Sequence, residues 1–152
     1  MIAVYNEASD KPYLLNIVMN KAETDVGKLL KNGPIENFLE FLPILRDCTL
    51  GVVYMNSHAI AHRDIKPGNI MKLKSNNYVL ADYGEGENLS YERAFAKDCF
   101  YQIGTWRIRG SVPYLDPHLI SHYRKLEEGE SAELDPYDLF KADIYSLGLS
   151  FY

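Results

Sequence analysis

Cysteine is scarce in this chain, and so is any pattern that would give it a disulfide role. Among 152 residues there are two, Cys48 and Cys99, and neither belongs to a C-x-x-C pair. Two isolated cysteines fit reduced thiols inside a cell better than a disulfide framework. Long apolar runs are missing too: no uninterrupted stretch reaches the ~18–20 residues needed to span a bilayer. The start, Met1-Ile2-Ala3-Val4-Tyr5-Asn6-Glu7, lacks the basic flank and long apolar centre of a signal peptide. Positive charge is not in excess. Sixteen lysines and arginines face 21 acidic residues, for a net charge of −5, so neither nucleic acid nor an anionic membrane is an expected partner. His58 and His122 have no partner at metal-ligand spacing. There is no internal repeat and no low-complexity segment. The default expectation is cytoplasm, or cytoplasm plus nucleus.

What is present reads as a soluble globular sequence, 47% apolar and 24% charged, long enough for one small domain or a piece of a larger one. Ile2–Tyr5 and Tyr13–Met19 read as two strands around a polar turn. Residues 20–25 read as a polar linker and Val26–Lys31 as a short helix, stopped by Asn32-Gly33-Pro34. From Ile35 to Asn56, Phe38, Leu42, Leu45, Thr49, Val52 and Val53 recur at helical spacing. Pro43 lies inside that pattern, so either the first turns are separate or the helix bends there. Ile60–Asn69 is irregular, and Ile70–Leu73 and Tyr78–Ala81 form a hairpin around Lys74-Ser75-Asn76-Asn77. A long polar stretch without periodicity follows to about Pro117. Leu119–Leu126 reads as helical and residues 127–133 as an acidic solvated loop. In Tyr137–Tyr152, Leu139, Ile144, Leu147 and Phe151 fit a last helix.

The chemistry concentrates in His62-Arg63-Asp64-Ile65-Lys66-Pro67-Gly68-Asn69. Those eight residues hold an acid that can take a proton, a lysine suited to a phosphate and an amide suited to a metal. Thirteen residues after Asn69 comes Asp82-Tyr83-Gly84, a second acid followed by a glycine at which the backbone can turn. Asn69 and Asp82 are hard oxygen ligands of the kind magnesium prefers. A lone Asp-x-Lys is usually a surface pair, and a lone Asp-x-Gly is usually a turn. In this order, between a long helix, a hairpin and a loop, they point to a phosphoryl-transfer site.

Together the two stretches resemble the catalytic loop, H-R-D-x-K-x-x-N, and the magnesium-binding D-F-G of protein kinases. The resemblance extends over essentially all of the chain. On it, Ile17–Ala22 is similar to the last small-lobe strand entering the hinge. Met19 then takes the gatekeeper place, the backbones of Asn20 and Ala22 hold adenine, Asp25 reaches the ribose and Met71 packs beneath the base. Gly110-Ser111-Val112-Pro113-Tyr114-Leu115-Asp116-Pro117-His118 resembles the family's Gly-Thr-x-x-Tyr-x-Ala-Pro-Glu, with Ser111 bridging Asp64 and Lys66. Asp116 and His118 depart from it. Lys141–Gly148 resembles the start of the central helix, whose aspartate, here Asp143, holds the catalytic-loop backbone. Lys66 is the serine/threonine form of the loop. Arg63 implies control by a phosphate on the activation segment, where Ser90, Tyr91, Tyr101 and Thr105 are in range.

The resemblance implies an α+β protein kinase-like fold, truncated at both ends. Residues 1–22 would be two remnant small-lobe strands and the hinge. Residues 23–152 would be a mostly helical large lobe with one small hairpin. Within it lie the catalytic loop at 62–69, the activation segment at 82–118 and the central helix from 139. It implies ATP and Mg2+ as cofactors, Asp64, Lys66, Asn69 and Asp82 as catalytic residues, His62 as support, and a protein serine or threonine hydroxyl as acceptor. No Gly-x-Gly-x-x-Gly occurs anywhere in the 152 residues. The expectation is therefore a piece of a longer kinase, weak or inactive alone. A non-catalytic kinase-like binding module is the alternative. A small-molecule phosphotransferase of the aminoglycoside-kinase type fits Arg63, Lys66 and Asp143 less well.

Overall fold

A computed structural model describes residues 3–6, 15–89, 109–130 and 136–152. The candidate phosphosites Ser90, Tyr91, Tyr101 and Thr105 lie outside the described residues. So do Cys99, the outer ends of the two first strands, and residues 131–133 of the acidic loop.

The strands β1 (Ala3–Asn6) and β2 (Leu15–Val18) pair antiparallel, with Ala3 opposite Val18. Residues 20–25 were expected to form a linker, and here the structure differs. Ala22–Asp25 is a strand, β3, paired antiparallel with β5 (Ile70–Leu73), which in turn pairs with β6 (Tyr78–Leu80). One alanine followed by three polar residues shows no apolar alternation to read. Its strand character comes from hydrogen bonding to a segment almost fifty residues away. The β5–β6 hairpin closes as its pattern requires, with Asn76 at φ +60° in the left-handed region that asparagine tolerates. The two-residue strands β4 (Ile60–Ala61) and β7 (Glu87–Asn88) form a third, minimal ladder.

Asp25 ends β3 and begins α1 (Val26–Leu30), its Oδ1 accepting the Lys28 N–H at 2.8 Å and so capping the helix. The long helix α2 spans Phe38–Ser57 as one element, capped by Asn37 accepting the Leu39 N–H at 3.0 Å. Pro43 sits inside it, in the second turn. The carbonyl it leaves without a helical donor is that of Leu39, an exposed residue, where water can satisfy it.

Which face of α2 is buried differs from expectation. Ile44, Cys48, Val52 and Met55, spaced four, four and three, form the inner stripe. Of the residues expected there, Val52 alone is fully buried; Phe38, Leu42, Thr49 and Val53 are exposed and Leu45 is half-buried. The helix is apolar nearly all round, so periodicity defines a helix without selecting its face. α3 (Pro117–Glu127) takes in the start of the expected acidic loop. α4 (Pro136–Ser150) buries Leu139 and Leu147 as expected, with Ile144 exposed instead.

The core has two parts. The larger joins the α2 stripe to Val26, Ile65, Ile70, Tyr78, Leu80 and Leu147. The smaller packs Ala61 against Leu119, Tyr123, Leu139 and Ala142. Between them runs the segment 61–65, anchored by Ala61 and Ile65, both without exposed surface. No helix among the described residues is long and apolar enough to cross a membrane.

Candidate active site

Asp143, on α4, lies 1% exposed beneath the 62–69 loop. Its Oδ2 accepts the His62 N–H at 2.6 Å and its Oδ1 accepts the Arg63 N–H at 2.8 Å. Burial pushes the Asp143 carboxyl up and the two N–H donors pull it down, with burial prevailing. Left without an acceptor, each buried N–H would cost about 1–3 kcal/mol. The loop backbone is therefore tied to a helix some eighty residues downstream.

His62 is fully buried. Its Nε2 lies 3.1 Å from the Ala81 carbonyl, and its Nδ1 receives the Asp64 N–H at 3.3 Å. Those partners make Nε2 the protonated nitrogen. The ring lies 4.8 Å from that of Tyr83. Arg63 takes φ +69°, the left-handed region that an unbranched L residue adopts only at a cost.

The turn at Arg63 delivers Asp64 to a closed set of contacts. Ser111 Oγ donates to Asp64 Oδ1 at 2.8 Å. Lys66 Nζ donates to Asp64 Oδ2 and to Ser111 Oγ, each at 2.7 Å. Asn69 Nδ2 donates to the Asp64 carbonyl at 2.8 Å and to Oδ2 at 3.0 Å. Burial alone would raise the Asp64 carboxyl. The hydrogen bonds from Lys66 and Ser111, and the Lys66 charge, outweigh it and hold the group below its ordinary value. Ser111 can approach because its neighbour is Gly110. At φ +99°, with the Arg63 carbonyl oxygen where a Cβ would stand, no other residue fits there unstrained.

Asp82 is exposed and takes φ +64°, with Oδ1 accepting the Gly84 N–H at 3.4 Å. The Ala81 N–H donates to the Asn69 carbonyl at 2.9 Å, which keeps Asp82 one residue from the Asn69 backbone. The nitrogen of the Asn69 amide is committed to Asp64, so its oxygen is the atom left for a cation. The described residues hold no cluster of three or more histidine, cysteine or acidic side chains. A pair of hard oxygens suits magnesium, which keeps waters and takes phosphate oxygens for its remaining ligands.

The residues expected around adenine are more loosely placed. Met19 is 64% exposed and Asn20 is exposed. Ala22, expected in the hinge, opens β3 opposite Leu73. Asp25, expected to reach a ribose, caps α1 and pairs with Lys28 Nζ at 2.9 Å, which lowers its carboxyl. Met71 is half-buried on β5, facing Asp25 across one ladder and Val79 across the other.

Several contributors left no mark in the sequence pattern. The Arg63 guanidinium is buried, 3.5 Å from both Glu87 Oε2 and the Tyr123 hydroxyl, and burial lowers its pKa. Arg109 pairs with Glu85 at 3.7 Å. Glu87 and Tyr123 lie 24 and 60 residues from Arg63 and belong to no motif. Ser146 was findable: it sits three residues after Asp143, the spacing of one helical face. Its hydroxyl donates to the Tyr114 carbonyl at 2.7 Å and so holds the residues that follow Ser111.

Comparison with known proteins addresses the family of the chain. Serine/threonine-protein kinase STK11 of Gallus gallus is 30% identical over 151 residues, 98% of this chain and 30% of that protein. Serine/threonine-protein kinase ELM1 of Saccharomyces cerevisiae is 34% identical over 129 residues, 82% of this chain and 19% of that protein. Serine/threonine-protein kinase PTK2 of Candida glabrata is 31% identical over 128 residues, 80% of this chain and 15% of that protein. The chain thus spans less than a third of the length of these relatives. The family model for the protein kinase domain matches residues 1–152. With a match of that extent, the chain belongs to the protein kinase domain family.

Proposed function

We propose that the chain carries the phosphoryl-transfer site of a serine/threonine protein kinase, with ATP as phosphate donor and a protein hydroxyl as acceptor. The observation that carries the reading is the closed contact of Asp64, Lys66 and Ser111, braced by Asn69. A carboxylate held below its ordinary value is ionised at neutral pH and ready to accept a hydrogen bond from an incoming hydroxyl. Being a weak base, Asp64 orients that hydroxyl first and takes its proton late, as the oxygen bonds to phosphorus. Lys66, already donating across the gap between Asp64 and Ser111, offsets charge on the transferring group. The oxygens of Asn69 and Asp82 would hold magnesium, which when bound neutralises phosphate charge. Asp143 and His62 fix the loop rather than touch the reacting atoms. Arg63 would answer a phosphate on the activation segment by exchanging its buried contacts with Glu87 and the Tyr123 hydroxyl. The cytoplasm, with or without the nucleus, remains the proposed location.

The 152 residues contain no glycine-rich loop to cover the phosphates. We therefore propose that this chain alone transfers phosphate weakly or not at all. The second reading is a kinase-like module that binds nucleotide or partners without catalysis. Calorimetry of magnesium-ATP binding by the purified chain tests both. The first reading expects micromolar-range binding that Asp82→Asn weakens, and transfer, in any longer form that shows it, abolished by Asp64→Asn with the fold intact. Transfer that survives Asp64→Asn would remove Asp64 from its role. Nucleotide binding without any transfer in a longer form would favour the second reading.

A further inference from the structure

Asp82 stands at φ +64°, in the left-handed region that aspartate tolerates but does not prefer. Its own carboxylate does little to hold it there. Among the described residues that group accepts one bond, from the Gly84 N–H at 3.4 Å, long for such a contact. The turn is held from its two sides instead. On the near side the Ala81 N–H donates to the Asn69 carbonyl at 2.9 Å, and the Ala81 carbonyl lies 3.1 Å from His62 Nε2. On the far side the Tyr83 carbonyl accepts the Gly86 N–H at 2.9 Å. The Tyr83 ring lies against that of His62, and its hydroxyl reaches back three residues to donate to the Leu80 carbonyl at 3.2 Å.

That last bond closes a short loop of chain with Asp82 inside it. Leu80 ends β6, Tyr83 follows the turn, and Asp82 lies between them. A rotation of the Asp82 backbone that carried Tyr83 along would pull the hydroxyl off Leu80. The D-F-G pattern that this stretch resembles has phenylalanine in the place of Tyr83, and phenylalanine has no hydroxyl to donate. We propose that the Tyr83 hydroxyl is a latch on the Asp82 turn, making Tyr83 a positioning residue that keeps the Asp82 carboxylate presented for magnesium before any metal arrives. Its bearing on magnesium rests on the phosphoryl-transfer reading, and the latch itself does not.

Tyr83→Phe removes one oxygen from a side chain that is 51% exposed, and keeps the ring that meets His62. In the full 152-residue chain, amide exchange followed by NMR should show the Gly86 N–H exchanging about fivefold faster in the variant, the worth of one ordinary hydrogen bond. The Leu73 N–H, which donates to the Asn77 carbonyl within the β5–β6 hairpin, should keep its rate, because a general loss of stability would speed both. Manganese, which shares magnesium's preference for oxygen ligands, is then titrated with ATP present. Broadening of the Asp82 amide signal should need about fivefold more metal in the variant, with ATP binding in metal-free buffer unchanged. Unaltered Gly86 exchange would overturn the latch, and so would equal acceleration at Leu73. Faster Gly86 exchange with an unaltered manganese midpoint would overturn the positioning role. No broadening at Asp82 in either protein, with Gly86 exchange still faster in the variant, would uphold the latch and count against the phosphoryl-transfer reading instead.

Discussion

At the scale of single residues, the Asp64 carboxylate depends most on its neighbours. Its ordinary value of 3.8 is lowered by donors from its own loop, Lys66 and Asn69, and by Ser111 from 47 residues further on. A carboxyl whose folded pKa is depressed contributes stability that is present above the unfolded value and lost as pH falls through the folded one. Lys66→Met should therefore move the Asp64 titration upward and narrow that acid-side window. NMR titration of the Asp64 side-chain carboxyl would show it, and an unmoved midpoint would mean Lys66 does not set the charge. The presence of Asp64, Lys66 and Asn69 was legible from spacing alone, because a short loop keeps sequence neighbours near in space. The left-handed backbone at Arg63 and Asp82 was not legible. Arginine does not announce a positive φ, and aspartate, though it tolerates the left-handed region, adopts it at few of its positions.

At the scale of elements, α2 shows where reading by pattern stops. Its extent was legible, because apolar positions recur with the helical period, but its inner face was decided by Ile65, Ile70 and Leu80 packing on one side. Adjacent valines make the contrast measurable. Val52→Ala, at 3% exposure, should cost roughly 2 kcal/mol, while Val53→Ala, at 59%, should stay within about 0.5 kcal/mol. Equal losses in urea unfolding would contradict the assigned face. The end of the same helix stores a small strain. Ala59 follows the cap residue His58 at φ +55°, where glycine is the usual occupant. Ala59→Gly should raise stability by about 1 kcal/mol, visible as a higher denaturation midpoint. An unchanged or lower midpoint would argue against a left-handed Ala59. The strand β3 was not legible because one alanine and three polar residues carry no apolar alternation. Its order comes wholly from pairing with β5.

At the scale of the molecule, Asp143 links parts of the chain that local patterns treat separately. It joins α4 to the loop that carries Asp64, and Ser146 on the same helix joins it to the residues following Ser111. Asp143→Ala should cost about 3 kcal/mol or more, because two buried N–H groups lose their acceptor together. Asp143→Asn should cost less, since an amide oxygen can still accept one of them. Chemical denaturation with amide exchange at His62 and Arg63 would measure both. Protected amides in the alanine variant would show that the loop holds itself.

The sequence alone determined the family, the order of its helices and the hairpin, and which residue types could do chemistry on a phosphate. Those features are carried by spacing over a few residues, where chain connectivity enforces nearness. Tertiary structure decided the face that α2 buries, the strand at 22–25, the contact of Ser146 with the Tyr114 carbonyl, and the company of Glu87 and Tyr123 around Arg63. Each of these joins residues that connectivity leaves free, so only the balance of burial and hydrogen bonding in the folded chain selects them.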